Sequence, residues 1–95
     1  MIQHTVAFRL DGAADADAFW RRVDALSEIG GVRQFQVLRQ VGQKNDFTHA
    51  LSMYFESEAD YDGYSDHPDH VAFVQEVWLP SVADFVELDY VDAAV

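Results

Sequence analysis

The chain has 95 residues, 49% of them hydrophobic, no cysteine, and a formal net charge of −11. That length and apolar content suit one small domain spanning 1–95 with a single core. The absence of cysteine rules out disulfides, thiol nucleophiles and thiolate metal sites. All six basic residues fall in the first 44 positions beside five acids, while twelve acids and no Lys or Arg follow from Asn45 onward. Such a chain offers no clustered basic footprint for nucleic acid or for an anionic membrane surface. No stretch reaches the roughly 18 to 20 apolar residues of a membrane span. The opening MIQHTVAFRL has no basic segment leading into an apolar core, so a cytoplasmic location is expected.

The first element alternates. Ile2, His4, Val6, Phe8 and Leu10 share one face of a strand, against Gln3, Thr5, Ala7 and Arg9 on the other. After Asp11-Gly12, the spacing of Phe19, Val23 and Leu26 predicts a helix from about Asp15 to Glu28, stopped by Gly30-Gly31. Val32–Val41 reads as a second strand, and the loop around Gly42–Asp46 makes a hairpin with a third, Phe47–Glu56. The third strand's inward set is Phe47, His49, Leu51, Met53 and Phe55. Ser57 followed by acids starts a short helix carrying Tyr61 and Tyr64. His67-Pro68-Asp69-His70 then begins another, since proline is welcome at a first helical position. Leu79-Pro80 is expected to end it, before a last strand over Val82–Asp92 and a frayed Ala-Ala-Val tail.

The order β-α-β-β-α-β predicts an α+β, ferredoxin-like subunit with helices on one face of an antiparallel sheet. Its other face carries Thr5, Ala7, Thr48, Ala50, Ser52 and Tyr54, too mixed for a core and too uncharged for a fully wet surface. A second copy covering that face accounts for the mixture, so a homodimer is expected.

His70 heads the apolar, sheet-facing stripe that continues through Phe73, Val74, Val77 and Trp78. Asp66 or His67 is the helix cap, and His67 sits at the mouth of the space beneath. His4 and His49 hold inward positions on otherwise apolar strands. Burying an imidazole costs free energy unless its nitrogens find partners. Three inward histidines and Tyr64, expected to converge, suggest a pocket with one polar end. A tight metal site is not expected: His67 is engaged as a cap and no longer zinc motif occurs. No haem or flavin signature is present, and no cofactor is expected.

The segments HTVAFRL, FTHALSMYFES and YSDHPDHVAFVQEVWLPSVADFVELDY resemble the stress-responsive A/B barrel (Dabb) family. The most specific part is HPxHV together with His4 and Asp89-Tyr90. The resemblance implies a ferredoxin-like subunit and a dimeric α+β barrel. For members similar to plant polyketide cyclases it further implies cofactor-free carbon–carbon bond closure. Carried across, His70 would be the base and Tyr64 its assistant, with His4, His49, His67 and Phe73 lining the pocket. The expected ligand is then a small, mostly apolar carbonyl compound, polyketide-like. The alternatives are a non-catalytic binding or structural dimer module and, more distantly, a cofactor-free monooxygenase.

Overall fold

The computed structural model describes residues 1–93; the rest of the expected tail, residues 94 and 95, lies outside the described residues. Strand β1 (Ile2–Leu10) leads through Asp11 to helix α1 (Ala16–Asp24), which tightens into a 3₁₀ turn over Ala25–Glu28. Asp15 caps α1, its carboxylate accepting the backbone N–H of Ala18 at 3.1 Å. This satisfies one of the donors that a helix start leaves unpaired. The edge strand β2 (Arg33–Arg39) pairs with β3 (His49–Phe55), after which come α2 (Glu58–Asp66) and α3 (Pro68–Phe73). A π-helical turn (Val74–Trp78) and a last short helical turn, α4 (Leu79–Ser81), carry the chain into β4 (Val82–Tyr90).

The sheet order is β2-β3-β1-β4, all neighbours antiparallel. This is the ferredoxin-like α+β arrangement that the element order predicts. The first strand has the expected bounds, whereas β2, β3 and β4 are each shorter than expected at one end or both, because ladder pairing stops before the apolar pattern does. The helix expected to stop at Leu79-Pro80 runs on to Ser81, since Pro80 occupies the first turn of α4 and its missing N–H is no loss there.

The alternation in β1 and β3 decides the core. His4, Val6 and Phe8 from β1, and Leu51, Met53 and Phe55 from β3, are buried under the helices. Phe19 and Val23 of α1, Tyr64 of α2, and Phe73, Val77 and Trp78 close over them. On the opposite face Ala7, Ala50, Leu38, Val86 and Leu88 sit side by side through the strand register. Leu38, Val86 and Leu88 are exposed there.

The break between α2 and α3 is where the histidines fall. His67 leaves helical geometry, with φ −61° and ψ 134°, and Pro68 starts the next helix. The His67 Nδ1 accepts the backbone N–H of Asp69 at 3.1 Å, so the imidazole caps the helix as a serine would.

Candidate functional site

Beneath α2, α3 and the π-helical turn lies a cavity of about 160 Å³. Its floor is β1 and β3, and the exposed Phe85 and Glu87 of β4 border it. Val6, Leu51, Met53, Phe73 and Trp78 make much of the wall apolar, while His4, Tyr61, Tyr64, His70 and Glu87 supply polar groups.

His70 is held by its own helix break. Its Nδ1 lies 3.0 Å from the backbone oxygen of Ser65. A carbonyl can only accept, so Nδ1 carries the proton and Nε2 keeps its lone pair. Burial lowers the His70 pKa from its ordinary value, as do His4 and His67; the Ser65 hydrogen bond and Glu87 oppose the shift without reversing it. The ring is therefore neutral near pH 7, with one basic nitrogen free. Tyr64 packs on it, ring centroids 4.4 Å apart at 46°. Burial, and then the charge of Glu87, push the Tyr64 phenol up, so it stays protonated and available as a donor.

A second constellation sits at the same end of the sheet. His4 Nδ1 is 2.7 Å from Asp89 Oδ1, and the Tyr61 hydroxyl is 2.8 Å from that Nδ1 and 2.9 Å from the same carboxylate oxygen. Strand register causes this, because His4 of β1 is paired directly with Asp89 of β4. The carboxylate accepts from both the imidazole Nδ1–H and the phenol O–H. Burial and the adjacent carboxylate raise the Tyr61 pKa. His4 is thereby held in one orientation, its ring against Tyr61 at 5.1 Å.

The structure brings together Tyr64, His70, His4 and Phe73 and separates the other two residues expected in the pocket. His49 is not in this cavity. It pairs with Phe8, four residues along β1 from His4, which is about 13 Å of strand. There its ring lies tilted against Trp20, centroids 4.9 Å apart, and its Nδ1 meets Thr48 Oγ1 at 2.9 Å. Burial and then Arg39 lower its pKa. His67 is likewise not at the mouth. It lines a separate groove with Arg22, Glu28 and Asp69 instead.

Two residues escaped the sequence reading. Asp89 was legible only as part of a resemblance, and Tyr61 only as a member of a short helix. A signal for both exists in hindsight: an acid and a tyrosine on the core-facing side, opposite a buried histidine that needs a partner. Among the described residues, no group of three or more His, Asp or Glu is arranged to hold a metal ion. No helix among them is long and apolar enough to cross a membrane.

The four-stranded sheet, the split helix and the His/Tyr cavity define a ferredoxin-like α+β protein with a small polar-ended pocket. Residues 2–92 match the model of the stress responsive A/B barrel domain, and the chain belongs to that family. It is 29% identical over 96 residues to a stress-response A/B barrel domain-containing protein of Arabidopsis thaliana. That match covers 96% of this chain but 36% of the plant protein, so the chain spans about a third of the length of its curated relative. Among solved structures, a Dabb family protein with a ferredoxin-like fold from Mesorhizobium loti is 46% identical, with a TM-score of 0.87 and coverage of 98% of this chain and 97% of that one. A hydroxynitrile lyase from Passiflora edulis shares the fold at 21% identity, TM-score 0.87, covering 99% and 94% of the two chains. So does a dimeric ferredoxin-like protein of unknown function from Thermobifida fusca, at 23% identity and TM-score 0.74, covering 94% and 88%.

Proposed function

We propose that the cavity binds a small, mostly apolar carbonyl compound and that His70 and Tyr64 perform cofactor-free acid/base chemistry on it, in a homodimeric protein. The observation that carries the reading is the His70 imidazole itself. Its Nδ1 is tied to the Ser65 carbonyl, its ring is neutral, and it packs on a protonated phenol inside an apolar cavity. A neutral imidazole can take a proton from the carbon beside a carbonyl, while a phenol O–H donates to the oxygen on which negative charge develops. The proton passes to Nε2, and the C–H electron pair moves into the enolate. The resulting carbanion equivalent can then attack a second carbon, as in a ring closure, or be reprotonated. His4, fixed by Asp89 and Tyr61, adds a second oriented imidazole to the wall.

The size of the cavity narrows the ligand. An engineered cavity of roughly 150 Å³ accepts benzene, so a space of about 160 Å³ suits one ring or a short branched chain. A longer polyketide-like tail would have to extend past the exposed Leu79 and Phe85 of the lining. That the same fold serves a hydroxynitrile lyase supports its use as a scaffold for reactions on small molecules.

Two observations support the homodimer: the uncharged aliphatic patch of Leu38, Ala50, Ala7, Val86 and Leu88 on the open sheet face, and a dimeric neighbour of the same fold. Light scattering should give twice the 10.8 kDa chain mass at micromolar concentration, and Leu88→Asp should reduce it toward one chain. A monomeric native protein would end the dimer reading.

The chemistry is tested by deuterium uptake at the α-carbon of phenylacetone in D₂O, followed by NMR. The native protein should accelerate exchange over buffer, and His70→Gln should lower the enzymatic rate by about 10²-fold or more, the usual contribution of a general base. Tyr64→Phe should also slow it. Exchange no faster than buffer, with phenylacetone nevertheless bound, would leave a binding module and no enzyme.

A further inference from the structure

Strand β4 is built the wrong way round for a simple amphipathic edge. Its aliphatic Val86 and Leu88 face the open side of the sheet, whereas Glu87 and Asp89 face the helices, paired with buried Val6 and His4. Asp89 is occupied by His4 and Tyr61. Glu87 is not: among the described residues it forms no ion pair with Arg or Lys, it is the only carboxylate lining the cavity, and no Arg or Lys lines it. Glu87 is an exposed residue at the edge of the cavity, and its charge acts on Tyr61, Tyr64 and His70 alike.

The remainder of the wall is rich in rings. Tyr61, Tyr64, Phe73, Trp78 and Phe85 all line the space. Trp78 meets Phe85 edge-on at 5.5 Å and lies tilted against Phe73 at 6.2 Å. A carboxylate beside several aromatic faces, with no competing cation, is the chemistry that selects organic ammonium groups through Coulomb and cation–π attraction.

The geometry points to a small organic cation as the ligand class of this cavity: an alkyl- or arylammonium with its nitrogen at Glu87 and its hydrocarbon body against Phe73, Trp78 and Phe85. This deepens the proposed function and rests on the cavity being a ligand site, independently of whether His70 does chemistry there. It also removes a difficulty in that chemistry. Negative charge developing beside Tyr64 is repelled by Glu87, and an ammonium on the same ligand offsets the repulsion. Carboxylate-bearing ligands are disfavoured by the same group.

Three probes that share a ring and differ in charge test the inference: benzylammonium, benzyl alcohol and benzoate, titrated by calorimetry or NMR at pH 7.5 and low salt. The native protein should bind benzylammonium on the order of tenfold more tightly than benzyl alcohol, with benzoate weakest, and added salt should narrow the gap. In Glu87→Gln the ammonium should fall to the level of the alcohol while the alcohol's own affinity stays the same, which shows the cavity intact. Equal binding of ammonium and alcohol by the native protein, or an unchanged ratio in Glu87→Gln, overturns the inference alone. Binding of none of the three overturns it together with the ligand-site reading beneath it.

Discussion

The two ends of the β1–β3 ladder follow the same alternation and do opposite things. At one end Phe8 is fully buried, with Phe19, Trp20 and Trp78 at centroid distances of 4.9 to 6.0 Å. At the other, His4 faces Tyr61 and Asp89, and the space between them and His70 is left open. Rings that interlock leave no cavity between them. Rings that carry hydroxyls and nitrogens must be held by hydrogen bonds, and the spacing this imposes leaves room for a guest. The difference teaches that the fold concentrates its packing at the Phe8 end and its hydrogen-bonded polar side chains at the His4 end.

Truncation at the packed end should break this contrast most severely. Phe8→Ala removes a ring with no exposed surface from the middle of the aromatic cluster and should cost about 3–5 kcal/mol, read as a lowered urea midpoint with an unchanged slope. A cost below about 1 kcal/mol would mean that this end is not the stability centre.

At the open end the expected losses are smaller. Asp89→Asn keeps the shape but removes the charge from both hydrogen bonds, and the carboxylate is about half exposed. We expect about 1 kcal/mol, in line with the net worth of partly solvated hydrogen bonds. The α-proton exchange rate should fall by more than this loss of stability explains, because His4 is released. Unchanged exchange would make the triad purely structural.

Titration distinguishes the ends further. His70 and His49 both have folded-state pKa values below the ordinary imidazole value, in each case mainly through burial. The unfolded chain therefore binds these protons first as the pH falls. The stability present above pH about 6.5 is lost as the pH drops through the lower folded values. His70→Gln and His49→Leu should each flatten that acid-side slope. Only His70→Gln should also remove the acid limb of the exchange rate, which reflects the base losing its lone pair. An acid limb that persists without His70 would assign the base elsewhere.

Much of this was legible in the sequence because alternation is a local signal. Ile2 to Leu10 declares its buried face without reference to any partner, and Pro68 after a polar residue declares a helix start. Register is not local. His4 and His49 share the correct parity, but antiparallel pairing puts residue 4 opposite 53 and residue 49 opposite 8, a match set by the whole sheet. The same limitation hid Asp89 as a partner of His4 until β4 was aligned on β1. Tyr61 escaped for a related reason: α2 is nine residues long and largely polar, so its inward face carries little periodic signal. The His70 tautomer depends on the Ser65 carbonyl, exposed where the helix breaks, and no side-chain pattern records a carbonyl.

The smallest expected effect is the one that most sharpens the comparison. His49 is partly buried against Trp20 and Phe8, and its side-chain hydrogen bond is to its neighbour Thr48, which is exposed and can turn to water instead. Leucine has a similar volume and needs no hydrogen bond, so His49→Leu should change stability by less than about 1 kcal/mol at pH 7. Below pH 6 the variant should gain on the native protein, since it no longer carries an imidazole that resists protonation in the fold. Neither phenylacetone exchange nor benzylammonium affinity should move, because the ring packs on Trp20 and Phe8 and does not line the cavity. A fall in either would mean that the two ends are coupled through Phe8 and Trp78, whose ring centroids lie 4.9 Å apart and which span the distance between them. The packed end would then be part of the site's machinery, setting the shape of the cavity wall from behind.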